Sequence, residues 1–181
     1  MDTILGDIDP SALARETSLS LRFDLKRMPV RWALSAIIAD FFSEYLVVKE
    51  ATAAKSAGNQ RDTISYVLNE LVENAVKFNA GSHIAMSVAR TADGLVFLVS
   101  NGVKLADIDK VRAAFSALID GDPGELLLKR IEQNAMGGGG GSGIGFLTLM
   151  SDYGVKLGWR FAGDADEPGM ITLSTVAQLT L

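Results

Sequence analysis

Cysteine is absent from the 181 residues, which excludes disulfide staples, thiolate nucleophiles and cysteine-held metal clusters. Histidine occurs once, as His83, and a lone imidazole has no partner set from which to build a metal site. Positive charge is also short: 17 Lys and Arg stand against 22 Asp and Glu, for a net charge of −5. With no cluster of basic residues, a nucleic-acid surface is not expected. No apolar run is suited to a bilayer, because the longest such region, Val30 to Val48, carries Arg31, Asp40 and Glu44, each costly at a membrane centre. The opening "MDTILGDIDP" has no basic segment followed by an apolar one, so no secretory signal is read and a cytoplasmic location is expected.

What remains is the material of an ordinary folded domain. At 48% hydrophobic residues and this length, one domain spanning residues 1–181 can bury a substantial core. Thr17 to Leu25 alternates apolar and polar residues as a half-buried strand does. A helix is expected from near Pro29 to about Glu50, and a second from a cap at Asp62 or Thr63 to about Asn79. His83 to Arg90 and Gly94 to Ser100 read as a hairpin around the "TADG" turn. Asn101 to Met136 carries two modest helical patterns, Ala106 to Ile119 and Glu125 to Gln133, split by "DGDPG", and reads as a mobile excursion from the core. A glycine run, Gly137 to Gly141, leads into a short helix in "SGIGFLTLMSDYG", and "VKLGWRFA" and "GMITLSTVAQL" close the chain as strands. Trp32, Trp159 and Phe146 read as core aromatics.

Two constellations carry chemistry. In "YVLNELVENAVKF", a helix turning about 100° per residue puts Glu70, Asn74 and Lys77 on one stripe beside the apolar stripe of Ile64, Val67, Leu71, Ala75 and Phe78. A carboxylate at such an edge can act as a general base, an amide oxygen can ligate Mg²⁺, and an ammonium can offset phosphate charge. A chance polar trio on a solvated face is the plain alternative. In Gly141-Ser142-Gly143-Ile144-Gly145-Phe146, glycines allow close backbone approach and the following helix directs free amides at whatever sits there. This is no P-loop, since no lysine follows the glycines, and the GxGxxG formed by Gly138, Gly140 and Gly143 has no strand before it.

In this order, "NELVENAVKF", "LVFLVSNG", a variable segment and "GSGIGF", the chain resembles the GHKL family of ATP-binding domains from about Thr17 onward. The resemblance implies a two-layer α/β sandwich, a mixed and mostly antiparallel sheet with helices on one face. It would divide the domain into residues 17–100 (strand, helices and hairpin), 101–142 (ATP lid and glycine loop) and 143–181 (helix and closing strands). By similarity Glu70 would be the base or water-positioning carboxylate, Asn74 the Mg²⁺ ligand and Lys77 a phosphate contact. Gly141, Ser142, Gly143, Ile144 and Gly145 would hold the phosphates of ATP, and Ser100, Asn101 and Gly102 would meet the nucleotide. The family's Asp-x-Gly-x-Gly box is altered here. Ser100 stands for its aspartate and Lys104 for its second glycine, and a neutral hydroxyl accepts from an adenine amino group more weakly than a carboxylate. Asp107 and Asp152 are candidates to compensate.

His83 begins a strand and not a dimerisation helix, so histidine autophosphorylation is not expected. The domain resembles most the anti-sigma-type serine/threonine kinases of bacterial partner switching, in their SiaB-like branch. That resemblance implies ATP and Mg²⁺ as cofactors and a small anti-anti-sigma-like (STAS-type) protein as substrate. A homodimer is possible, and from the composition and the charged residues in the longest apolar run no nucleic acid and no membrane are expected as partners. Two other readings are a non-catalytic module of the same fold that sequesters a protein partner, favoured by Ser100, and an ATPase that gates dimerisation.

Overall fold

A computed structural model describes residues 2–6, 8, 19–25, 33–48, 57–136, 143–164 and 166–181. Pro29, Trp32, the whole glycine run Gly137 to Gly141 and Ser142 lie outside the described residues.

The chain order is β1 (Asp2–Gly6), β2 (Leu19–Asp24), α1 (Ala33–Val48), α2 (Ala57–Phe78), β3 (His83–Arg90), β4 (Gly94–Lys104), α3 (Ile108–Ile119), α4 (Pro123–Ala135), α5 (Ile144–Ser151), β5 (Lys156–Gly163) and β6 (Met170–Thr180). The strands form one six-stranded sheet in the order β1-β5-β6-β4-β3-β2. Every described pairing is antiparallel, so the expected α/β sandwich is present without the parallel member that a mixed sheet would include.

Alternation along the strands sorts the core. Leu95, Phe97, Val99 and Val103 of β4 and Ile171, Leu173, Ala177 and Leu179 of β6 join the main apolar cluster with Leu71 and Val72 of α2 and Phe42 of α1. Burying a side chain of this kind stabilises the fold by about 1.5–3 kcal/mol. Between those positions Val96, Leu98 and Val176 turn the other way and meet Ile8 in a separate small cluster. Trp159, fully buried on β5, anchors the region where α3 and α5 cover the sheet.

Three local expectations are corrected. Asp62 and Thr63 do not cap α2, which is already helical at Ala57. In the added stretch Arg61 pairs with Glu44 of α1 at 2.7 Å, an exposed contact of small energetic weight. The segment read as an excursion from the core is only partly one: Phe115 of α3 stacks on Trp159 with ring centroids 4.4 Å apart and planes 6° from parallel. Beyond it α4 is capped as the sequence suggests, with Asp122 Oδ1 accepting from the Glu125 amide at 2.9 Å and Pro123 at the helix start. Finally, β1 was not anticipated. Five residues at a sheet edge give little periodic signal, yet β1 pairs with β5 and Arg160 donates to both carboxylate oxygens of Asp2, at 2.9 and 2.7 Å. Among the described residues no helix is long and apolar enough to cross a membrane.

Candidate functional site

The opposite face of α2 from α1 runs toward the start of α5. Glu70 is half-buried there, and its carboxylate packs against the first turn of α5 so closely that a Cβ on residue 145 would collide with Glu70 Oε2. The missing side chain at Gly145 leaves room for the carboxylate in this position, and the glutamate and the glycine loop, far apart in sequence, meet in space. Burial, and secondarily the charge of Glu73, pushes the Glu70 carboxyl above its usual range. Tyr66, one turn earlier, stacks on Tyr153 with centroids 4.9 Å apart. Its phenol is also raised, first by burial and then by the Glu70 charge.

One turn after Glu70, Asn74 Nδ2 donates to the Glu70 carbonyl at 2.8 Å. That bond orients the amide and leaves its oxygen as the acceptor end, the atom a hard cation would take. Asn74 lines a cavity of about 390 Å³, which extends over Ala75, Phe115, Phe146, Asn101 and Thr175. The size falls in the usual range for small-molecule sites, about 300–1,000 Å³. Lys104 and Lys110 line it as well, and both are exposed, giving it a cationic rim. Among the described residues no group of three or more His, Cys, Asp or Glu gathers to hold a metal. A cation here would have to share Asn74 with oxygens of its ligand, the usual habit of Mg²⁺.

The remaining candidates separate. Lys77 is exposed at the end of α2 with its ammonium 5.4 Å from the centre of the Phe78 ring, and it is not part of the cavity lining. Gly143, in the left-handed region at φ 91°, precedes α5, whose first residue is Ile144. Ser100 faces away from the cavity: its hydroxyl shares a 2.8 Å hydrogen bond with Ser174 across the β4/β6 pair. Asn101, the next residue, points into the cavity and is buried. Gly102 has a structural reason to be glycine, since a Cβ there would stand 2.8 Å from Gly81 Cα. Its amide donates to Asn79 Oδ1 at 2.9 Å and its carbonyl accepts from Ala80 at 2.7 Å, tying the end of α2 to β4. Of the two compensating carboxylates, Asp107 reaches the cavity lining, while Asp152 follows the last turn of α5. His83 sits at the start of β3, with Nδ1 3.2 Å from Arg22 Nη2 and 3.1 Å from Ser82 Oγ.

Lys110, Phe115 and Thr175 were not singled out from sequence. For α3 a signal existed: Asp107, Lys110, Val111, Ala114 and Phe115, all cavity residues, recur at the three- and four-residue spacing of one helix face. For Thr175 the signal is a hydroxyl in the inward row of a strand whose other inward residues, Ile171, Leu173, Ala177 and Leu179, are apolar.

No protein-family model matches the chain, and no curated protein matches it. Among solved structures, a chain from the crystal structure of the SiaB–SiaC complex of Pseudomonas aeruginosa shares the fold. The TM-score is 0.64, over 94% of this chain and 98% of that one, at 19% sequence identity.

Proposed function

We propose that this protein is an ATP- and Mg²⁺-dependent serine/threonine protein kinase of the bacterial partner-switching type, acting on a small anti-anti-sigma-like protein. The observation that carries the reading is the half-buried Glu70 carboxylate packed on Gly145 at the start of α5, one turn from Asn74 at the edge of the cavity. The fold shared with a chain of the SiaB–SiaC complex supports a role exercised through a protein partner.

ATP supplies the phosphoryl group, and Mg²⁺ offsets the charge of its phosphates. Asn74 would hold the metal through Oδ1, and Lys104 and Lys110 would meet the phosphates at the rim. Glu70 takes the proton of the partner's Ser or Thr hydroxyl, whose oxygen bonds to the γ-phosphorus as the bond to the β-phosphate oxygen breaks and ADP leaves. Burial suits it to that task, because a carboxylate raised above its usual pKa is a stronger base near neutral pH. Phe115, Phe146 and Leu173 keep water from the cavity floor.

The test uses γ-labelled ATP, Mg²⁺ and a small anti-anti-sigma-like protein as acceptor. The wild type is expected to label a Ser or Thr of the acceptor, and Glu70→Gln to bind ATP without labelling it. Transfer retained by Glu70→Gln would falsify the role given to Glu70. The position of Ser100, turned from the cavity and hydrogen-bonded to Ser174, favours the second reading, a non-catalytic module that binds a partner. ATP binding without transfer to any acceptor would support that one.

A further inference from the structure

We infer that Asn101, assisted by Thr175, reads the nucleotide base, the task that the aligned motif would give to Ser100. The inference rests on the nucleotide reading above and names the part of the site that selects the ligand.

Among the described residues, the buried polar side chains of the sheet are Asn101, 5% exposed, and Thr175, 7% exposed. Both occupy inward positions in rows that are otherwise Leu95, Phe97, Val99, Val103, Ile171, Leu173, Ala177 and Leu179. They are diagonal neighbours, since Asn101 pairs with Leu173 and Thr175 with Val99. Both also line the cavity. A buried amide or hydroxyl without good partners costs about 1–3 kcal/mol, so two of them at one point of an apolar wall need either cavity solvent or a ligand's polar edge to complete their hydrogen bonds. The contact from Asn101 Nδ2 to the neighbouring Gly102 carbonyl is 3.5 Å, too long to meet that need.

The chemistry selects a planar heterocycle with an amino group beside a ring acceptor. A carboxamide offers an acceptor and donors in one plane, the complement of the N6/N7 edge of adenine, where an amine adjoins a ring nitrogen that is an acceptor in adenine and hypoxanthine alike. Apolar side chains, Ala75, Phe115, Phe146 and Leu173, supply the walls for its faces. The Gly102 carbonyl beside Nδ2 disfavours the flipped amide, which would set two oxygens together, so the amine is preferred over a carbonyl at that ring position. Ser100 is on the other face of the sheet. Asp107 lines the cavity but is exposed, and a solvated carboxylate discriminates weakly.

Calorimetric titration with Mg·ATP and with Mg·ITP, in which the 6-amine is replaced by a carbonyl, tests this directly. The wild type is expected to prefer ATP by about tenfold, the effect of one well-placed hydrogen-bond pair. Asn101→Ala should reduce the ratio to less than about twofold. Asn101→Asp, which has the same shape but can only accept, should raise the ratio above the wild-type value because it repels the carbonyl of ITP. Ser100→Ala and Asp107→Ala should leave the ratio unchanged. A purely structural role for Asn101 would not move the ratio in opposite directions. The inference is overturned by a wild type that binds both nucleotides equally, by an unchanged ratio in Asn101→Asp, or by a ratio lost in Ser100→Ala or Asp107→Ala. A wild type that binds neither nucleotide overturns the nucleotide reading itself, a distinct result.

Discussion

Toward the helices, β4 presents Leu95, Phe97, Val99, Asn101 and Val103. Toward the other side it presents Val96, Leu98 and Ser100. The first row is covered by α2, α3 and α5 and ends in a cavity of about 390 Å³. Among the described residues the second meets a small apolar cluster, and beyond it Ser100 and Ser174 share one hydrogen bond. Ser100 and Asn101 are adjacent, yet the pleat sends them to opposite environments, since successive side chains of a strand alternate between faces. Which residue faces the cavity is therefore decided by strand parity, not by alignment to a motif.

The two faces should respond to substitution very differently. The largest effect is expected at Glu70: Glu70→Gln should lower phosphotransfer by roughly 10²–10⁴-fold, the usual worth of a general base, read from initial rates with labelled ATP. Next comes the cavity wall. Phe115→Ala removes the ring stacked on Trp159 and should destabilise the fold by about 3 kcal/mol, measured by denaturant unfolding.

A pH-dependent difference follows from the direction of the Glu70 shift. Its folded pKa is raised above the ordinary 4.5, so its contribution to stability is complete below that value and is lost as pH rises through the folded pKa. At neutral pH the buried charge is a burden that Glu70→Gln removes. The variant should melt higher than the wild type at pH 7, and the gap should shrink as pH is lowered toward 4. A gap that stays constant with pH would contradict the burial of that carboxylate. The smallest effect belongs to the other face: Ser100→Ala should cost no more than about 1 kcal/mol, the net worth of one hydrogen bond, with nucleotide affinity unchanged. A large loss of affinity there would erase the distinction between the faces.

Much of this was legible in the sequence. The 3.6-residue period of "YVLNELVENAVKF" put Glu70 and Asn74 at the border of a buried face, which is where α2 carries them. Both strands of the hairpin and the two closing strands followed from alternation and turn residues. Parity near Ser100 was harder to read, because the inward and outward residues of β4 are nearly all apolar and the usual contrast is missing. The role of α3 was obscured for a related reason. Its inward Phe115 finds Trp159 only through a long-range contact that no local pattern encodes. The short β1 depends on its partner strand and on Arg160, and five residues alone could not announce it.

The most direct experiment is calorimetric titration of the wild type and Asn74→Ala with ATP, each with and without Mg²⁺. Metal-dependent binding by the wild type is expected, with Asn74→Ala losing the part of the affinity that Mg²⁺ adds. No binding by the wild type, or the same Mg²⁺ enhancement in both proteins, would contradict a Mg²⁺–nucleotide site built on α2.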